Sequence, residues 1–164
     1  MGAIAAIKDP AAKPQERDHT FTRFIEASRE RVFRAWIDPH DLALWWGPRG
    51  FTNPVCELDA RPGGSIRIDM QGPDGVLYPM KGIYHELSEP ARIVFTSTAF
   101  EDEEGDPQLQ VLNTVLFVGH MGRTRVSVTA TVVKAAPAVS DALAGMEDGW
   151  NQSLDRLAEL LEKR

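Results

Sequence analysis

The sequence predicts an α+β domain in which a curved antiparallel sheet wraps around one long C-terminal helix. Two observations lead there. Over residues 140–164, Leu143, Met146, Trp150, Leu154, Leu157 and Leu161 recur at spacings of three and four, which puts them on one stripe of an α-helix. Between Phe51 and Val133 nearly every segment reads as strand, broken by glycine and proline turn signals.

Residues 1–17 are rich in Ala, Pro and Lys without sustained periodicity and are expected to form a disordered N-terminal tail. Residues 18–164 are expected to form one domain. Its first strand starts near His19, where Phe21 and Ile25 alternate with Thr20, Thr22 and Arg23. Ser28 is the expected cap of a short helix that buries Val32, Phe33, Trp36 and Ile37. Asp38-Pro39 stops that helix and opens a second, with Asp38 as cap and Pro39 at the first helical position. This second helix carries Leu42, Leu44, Trp45 and Trp46, and Gly47-Pro48 ends it.

About six strands follow. Residues 53–58 are the first, and Arg61-Pro62-Gly63-Gly64 is a turn. Residues 65–70 alternate, with Ile66, Ile68 and Met70 on one face and Ser65, Arg67 and Asp69 on the other. Gly72-Pro73-Asp74-Gly75 turns into a strand over 76–87, where Gly82 marks a bend or a close approach. Residues 92–100 make the next strand, and 101–106 an acidic loop. Residues 109–118 and 123–133 form a hairpin whose second arm sets Val126, Val128, Ala130 and Val132 on one face. Short turns between consecutive strands imply antiparallel pairing, with one wet face and one packed on the long helix. Ser140 is the expected cap of that helix, with Asp141 and Glu147 toward its start and Lys163 and Arg164 toward its end.

The chain has 164 residues, which suits one sizeable core. A net charge of −6 argues against nucleic acid or an anionic membrane as main partner, since both require a basic face. Cys56 is the only cysteine, so an internal disulfide and a multi-thiolate zinc site are excluded. No apolar run reaches the roughly 18 residues of a membrane span. Ile4-Ala5-Ala6-Ile7 is shorter than a signal-peptide core of about 7–15 residues. A cytoplasmic protein is expected.

The residues Trp36-Ile37-Asp38-Pro39 and Leu44-Trp45-Trp46-Gly47-Pro48, then Arg61-Pro62-Gly63-Gly64, Gly82-Ile83-Tyr84-His85-Glu86, Arg92-Ile93-Val94-Phe95-Thr96 and Gly149-Trp150 through Arg156-Leu157, stand in a familiar order. Over residues 19–163 the chain resembles the activator of 90-kDa heat-shock protein ATPase homologue-like family, within the START-related, birch-pollen-allergen-like (SRPBCC) superfamily. The resemblance implies the helix-grip fold. It also implies a chaperone as one candidate partner, a place in stress response, and a cavity between helix and sheet. Superfamily relatives hold lipids, hormones or polyketides in that cavity, and a few cyclise or hydrolyse them. The leading expectation is therefore a module that binds a small hydrophobic or amphipathic ligand. The alternatives are a co-chaperone-like interaction domain and a cyclase or hydrolase.

A curved sheet cannot touch a straight helix along its whole length, so a ligand cavity is expected between them. Trp45 and Trp46 are expected near its mouth, and Cys56, Met70, Tyr84 and Trp150 toward its lumen; the competing reading is that all six fill the core. If buried, Tyr84 and Trp150 each need a polar partner. Gly145 and Gly149 either allow a close approach to the helix or mark a poorly formed first turn. Arg67 and Asp69 are expected to pair on the solvent face. His19, His40, His85 and His120 show no metal-ligand spacing, so no metal is expected. His85 and Tyr84 are adjacent and must point oppositely unless a bulge intervenes. Cys56 has no neighbouring base and is expected to be inert. No catalytic residue is assigned, and no phosphate-binding glycine loop or other cofactor motif is present. A homodimer is expected if the paired tryptophans are exposed.

Overall fold

The computed structural model describes residues 18–163, so the N-terminal segment read as a tail, and Arg164, lie outside the described residues. In chain order the elements are β1 (Asp18–Ile25), α1 (Arg29–Ile37), α2 (Pro39–Trp45), β2 (Thr52–Leu58), β3 (Ser65–Gln71), β4 (Leu77–Ser88), β5 (Arg92–Glu101), β6 (Pro107–His120) and β7 (Arg123–Ala135). A 3-10 turn (Pro137–Val139) then leads into α3 (Ser140–Ala144) and α4 (Met146–Glu162). The strands form one seven-stranded sheet in the order β1-β7-β6-β5-β4-β3-β2, antiparallel at every step.

Both early helices are capped as their sequences dictate. Ser28 Oγ accepts from the Arg31 N–H at 3.3 Å. Asp38 Oδ1 accepts from His40 N–H at 2.8 Å and Asp41 N–H at 3.2 Å. Together they bury Val32, Phe33, Ala35, Trp36, Leu42 and Trp45. Leu44 points outward at 48% exposure, because a seven-residue helix has room for one buried face and Leu42 and Trp45 occupy it.

The Arg61-Pro62-Gly63-Gly64 turn pairs with β4: Gly63 N–H donates to Tyr84 O at 2.8 Å, and Tyr84 N–H donates to Gly64 O at 2.9 Å. A Cβ on Gly64 would collide with the Asp59 carbonyl oxygen, so only glycine fits. The alternation of β3 is as read, with Ile66 and Ile68 buried and Arg67 exposed.

Two features depart from the expected pattern. In β7, Val126, Val128 and Ala130 are buried, but the register with β6 slips after Val132, and Val133 takes the buried position. A bulge shifts the side-chain phase by one residue, and only the pairing shows it. The C-terminal helix is also broken. Gly145 separates α3 from α4, and Ser140, expected as a side-chain cap, makes no capping bond. The residues that α4 buries are Ser153, Leu154, Leu157, Ala158 and Leu161, all in its C-terminal part, and α3 buries none. The helix therefore packs on the core through its second half and stands off it in the first.

Leu157 is fully buried at the centre of that packing. Leu157→Ala is expected to lower unfolding free energy by about 2–5 kcal/mol, read from the urea midpoint at unchanged slope.

Candidate functional site

Where the helix stands off, a cavity of about 650 Å³ opens between the start of α4 and the inner faces of β4, β5 and β6. Trp46 and Trp150 meet edge-to-face on its inner side, with ring centroids 5.4 Å apart. Met70, Met80 and Met146 add thioethers to the wall. Small residues keep the space open: Ser97 and Ala99 on β5, Ala142 on α3, Gly149 and Ser153 on α4. Leu77 and Phe100, both well exposed, lie on the cavity wall at the solvent side with Lys81 and Glu101, which are ion-paired at 2.9 Å. Phe100 has φ 60, a left-handed backbone that a bulky side chain rarely adopts.

The six residues singled out in the sequence divide evenly. Trp46, Met70 and Trp150 line the cavity. Trp45 does not: it is fully buried and its Nε1 donates to Ala35 O at 3.0 Å. Tyr84 is buried against a far smaller void lined also by Trp36 and Leu42, and desolvation pushes its phenol well above the usual range. Cys56 packs half-buried against the core, where burial pushes its thiol up to about 11. With Trp45 buried and Trp46 packed on the core, the exposed tryptophan pair that motivated a homodimer is not present.

The polar expectations also resolve. Arg67 donates to Asp69 Oδ2 at 3.2 Å on the face opposite Ile66 and Ile68. A bulge does fall at His85, yet its ring stays exposed and bonds Thr96 Oγ1 at 2.6 Å. None of these three ionisable groups lines the cavity. Gly145 marks the helix break, and a Cβ on Gly149 would meet only Pro48, at 4.0 Å, so no strand approaches either glycine closely.

Sequence reasoning missed the latch that holds the cavity wall. Arg156 Nη1 donates to the carbonyls of Trp46, Gly47 and Pro48 at 3.0, 2.9 and 3.1 Å, and Nη2 to that of Leu44 at 3.0 Å. These carbonyls lie at and beyond the end of α2, where a helix leaves acceptors unpaired. Ser153 Oγ accepts from Gly47 N–H at 3.0 Å, Gln152 accepts from Arg49 N–H at 2.9 Å, and Arg49 grips Glu159 with Nη1 and Nη2. Burial and the nearby Arg49 push the Arg156 guanidinium down, but it stays charged. The only cue was a lone arginine on an otherwise apolar-striped helix. Also unforeseen, the carboxylates of Asp102, Glu104 and Asp106 converge within 4.8 Å in the acidic loop, all exposed; Asp102 Oδ1 accepts the backbone N–H of the other two, so a turn accounts for the grouping.

A sheet gripping a C-terminal helix, with an apolar cavity between them, defines a helix-grip protein of the START-related class. The chain belongs to the Activator of Hsp90 ATPase homolog 1-like protein family, whose profile matches residues 26–162. Solved structures agree. A protein of Chromobacterium violaceum is 29% identical, with a TM-score of 0.74 and 90% of this chain and 98% of that one covered. A Mycobacterium smegmatis protein is 27% identical, with a TM-score of 0.76 and 94% and 96% covered. The AHSA1 protein of Silicibacter pomeroyi, at 24% identity and TM-score 0.71 with 90% and 99% covered, shares the fold. No curated protein matches the chain. No helix among the described residues is long and apolar enough to cross a membrane.

Two outcomes follow from this geometry. Arg156→Met, which keeps the stem but removes the guanidinium's bonds to four carbonyls, is expected to cost about 1–3 kcal/mol and to red-shift tryptophan emission as Trp46 loosens. The raised Cys56 pKa makes the thiol a poor nucleophile: iodoacetamide labelling at pH 8 is expected to run about a hundredfold slower in the folded chain than in urea. The same shift stabilises the fold below the ordinary thiol pKa, and that contribution is lost as pH rises from there through about 11.

Proposed function

We propose that the protein binds a small hydrophobic or amphipathic molecule in the cavity between α4 and the sheet. The observation that carries this reading is the cavity itself: about 650 Å³, within the range of drug-sized ligand sites, walled by tryptophan and methionine. The fold family commonly uses this space for apolar ligands. Trp46, Met70 and Trp150 are the contact residues. Trp45, Cys56 and Tyr84 act behind them, as the packed wall against which the contact residues are held. The family name supplies a second reading, contact with a chaperone. Phe24, Leu116 and Val118, exposed on the outer sheet face, give that reading a surface.

The test is a melting curve with and without trans-stilbene. At a hundredfold excess over its dissociation constant the ligand stabilises the native state by about 2.7 kcal/mol, a rise of about 5–10 °C for a chain of this size. Ala99→Trp, which fills the cavity from β5, is expected to abolish the rise. Native mass spectrometry of freshly purified protein reads bound molecules and copy number together. Unchanged melting and a mass free of adducts would sink the binding reading.

A further inference from the structure

We propose that the molecule held in the cavity is a flat, neutral aromatic compound with a hydrogen-bond donor at its buried end, and that Asn113 Oδ1 accepts that donor. The proposal rests on the binding reading above and specifies its ligand.

Asn113 sits on the inward face of β6 between Val111 and Val115, is 1% exposed, and lines the cavity. A carboxamide has a donor end and an acceptor end. Here the donor end is fixed by its surroundings. Nδ2 donates to Ser97 Oγ at 3.1 Å and to the backbone carbonyls of Val111 and Phe95 at 3.3 and 3.4 Å. Both carbonyls only accept, so the flipped amide would set oxygen against oxygen. Oδ1 is thereby assigned to the opposite side, where no donor among the described residues bonds it. The fully enclosed side-chain polar atoms without a partner, among the described residues, are Trp36 Nε1 and Asn53 Oδ1. Asn113 Oδ1 is not one of them: it opens on free space, and at this residue the free space is the cavity.

An acceptor deep in an apolar wall is unfavourable unless a donor meets it. The donor must be neutral. Among the described residues, Lys81 and Glu101 are the only charged residues on the cavity wall, and they neutralise each other in their ion pair. A cation at Asn113 would have no counter-charge and would stay in water. The cavity wall carries rings and thioethers, Trp46, Trp150, Tyr78, Met70, Met80 and Met146, surfaces that favour flat aromatic faces. A phenol or an aromatic amide N–H combines both requirements.

The experiment compares 4-hydroxy-trans-stilbene with 4-methoxy-trans-stilbene on the wild-type chain and on Asn113→Leu, a near-isostere, with binding read from stilbene fluorescence. The wild type's preference for the hydroxy compound over the methoxy one is expected to exceed the variant's by about two- to tenfold, the worth of one neutral hydrogen bond. If both compounds bind and that preference is the same in the two proteins, the Asn113 proposal is overturned while the cavity reading stands. If neither binds the wild type, both are overturned. Should Asn113→Leu fail to fold, isotope-labelled wild-type protein decides. The Asn113 side-chain carbonyl carbon is expected to shift downfield with the hydroxy compound only, and equal shifts with the two compounds overturn the proposal.

Discussion

A helix is nearly straight and a seven-stranded antiparallel sheet is twisted and curved, so the two can share a surface over only part of the helix. That mismatch organises this protein. The second half of α4 sinks Leu154, Leu157, Ala158 and Leu161 into the core. Its first half carries Met146, Gly149 and Trp150, which face the cavity. The break at Gly145 then lets α3 take its own direction. Packing at one end and standoff at the other are two consequences of one geometry.

A helix held by half its length needs a second attachment, and the Arg156 latch supplies it. One guanidinium joins four carbonyls around the end of α2, and Ser153 bonds the backbone N–H of Gly47 from the turn above. Asn53, at the start of β2, donates to the carbonyls of Ala43 and Trp46 at 3.0 and 2.9 Å. Trp46 O thus receives two side-chain donors from different parts of the chain. Its indole packs tilted against Phe95 and edge-to-face against Trp150. Arg156, Ser153 and Asn53 therefore hold the backbone on either side of one cavity-wall ring.

Most of the framework was legible in the sequence because it depends on local rules. Strand alternation in β3, the Asp38-Pro39 junction and the Gly63-Gly64 turn each follow from a few consecutive residues. What was not legible depends on partners. The β7 bulge that exchanges Val132 for Val133 exists only relative to β6. The division of Trp45 from Trp46 depends on α1, whose Ala35 carbonyl accepts the Trp45 indole N–H. Arg156 reads as a polar-face residue until the carbonyls of another helix come within reach. Asn113 sits in a strand pattern among valines, and its meaning requires the neighbouring β5 carbonyl and the cavity beside it. The fold was written in periodicity, while half the site was written in cross-chain contacts.

The cavity's wall constrains its contents. The cavity opens to solvent beside the exposed Leu77 and Phe100, so it is not a sealed void. The space must therefore be occupied by water or by a ligand. Bulkier residues at Ser97, Ala99, Ala142 and Gly149, all on its wall, would narrow it. Water makes few bonds to the rings and thioethers that form much of that wall. Small side chains beside tryptophans and methionines, with the buried Asn113 amide among them, describe a space shaped for an apolar occupant whose own surface replaces the missing packing.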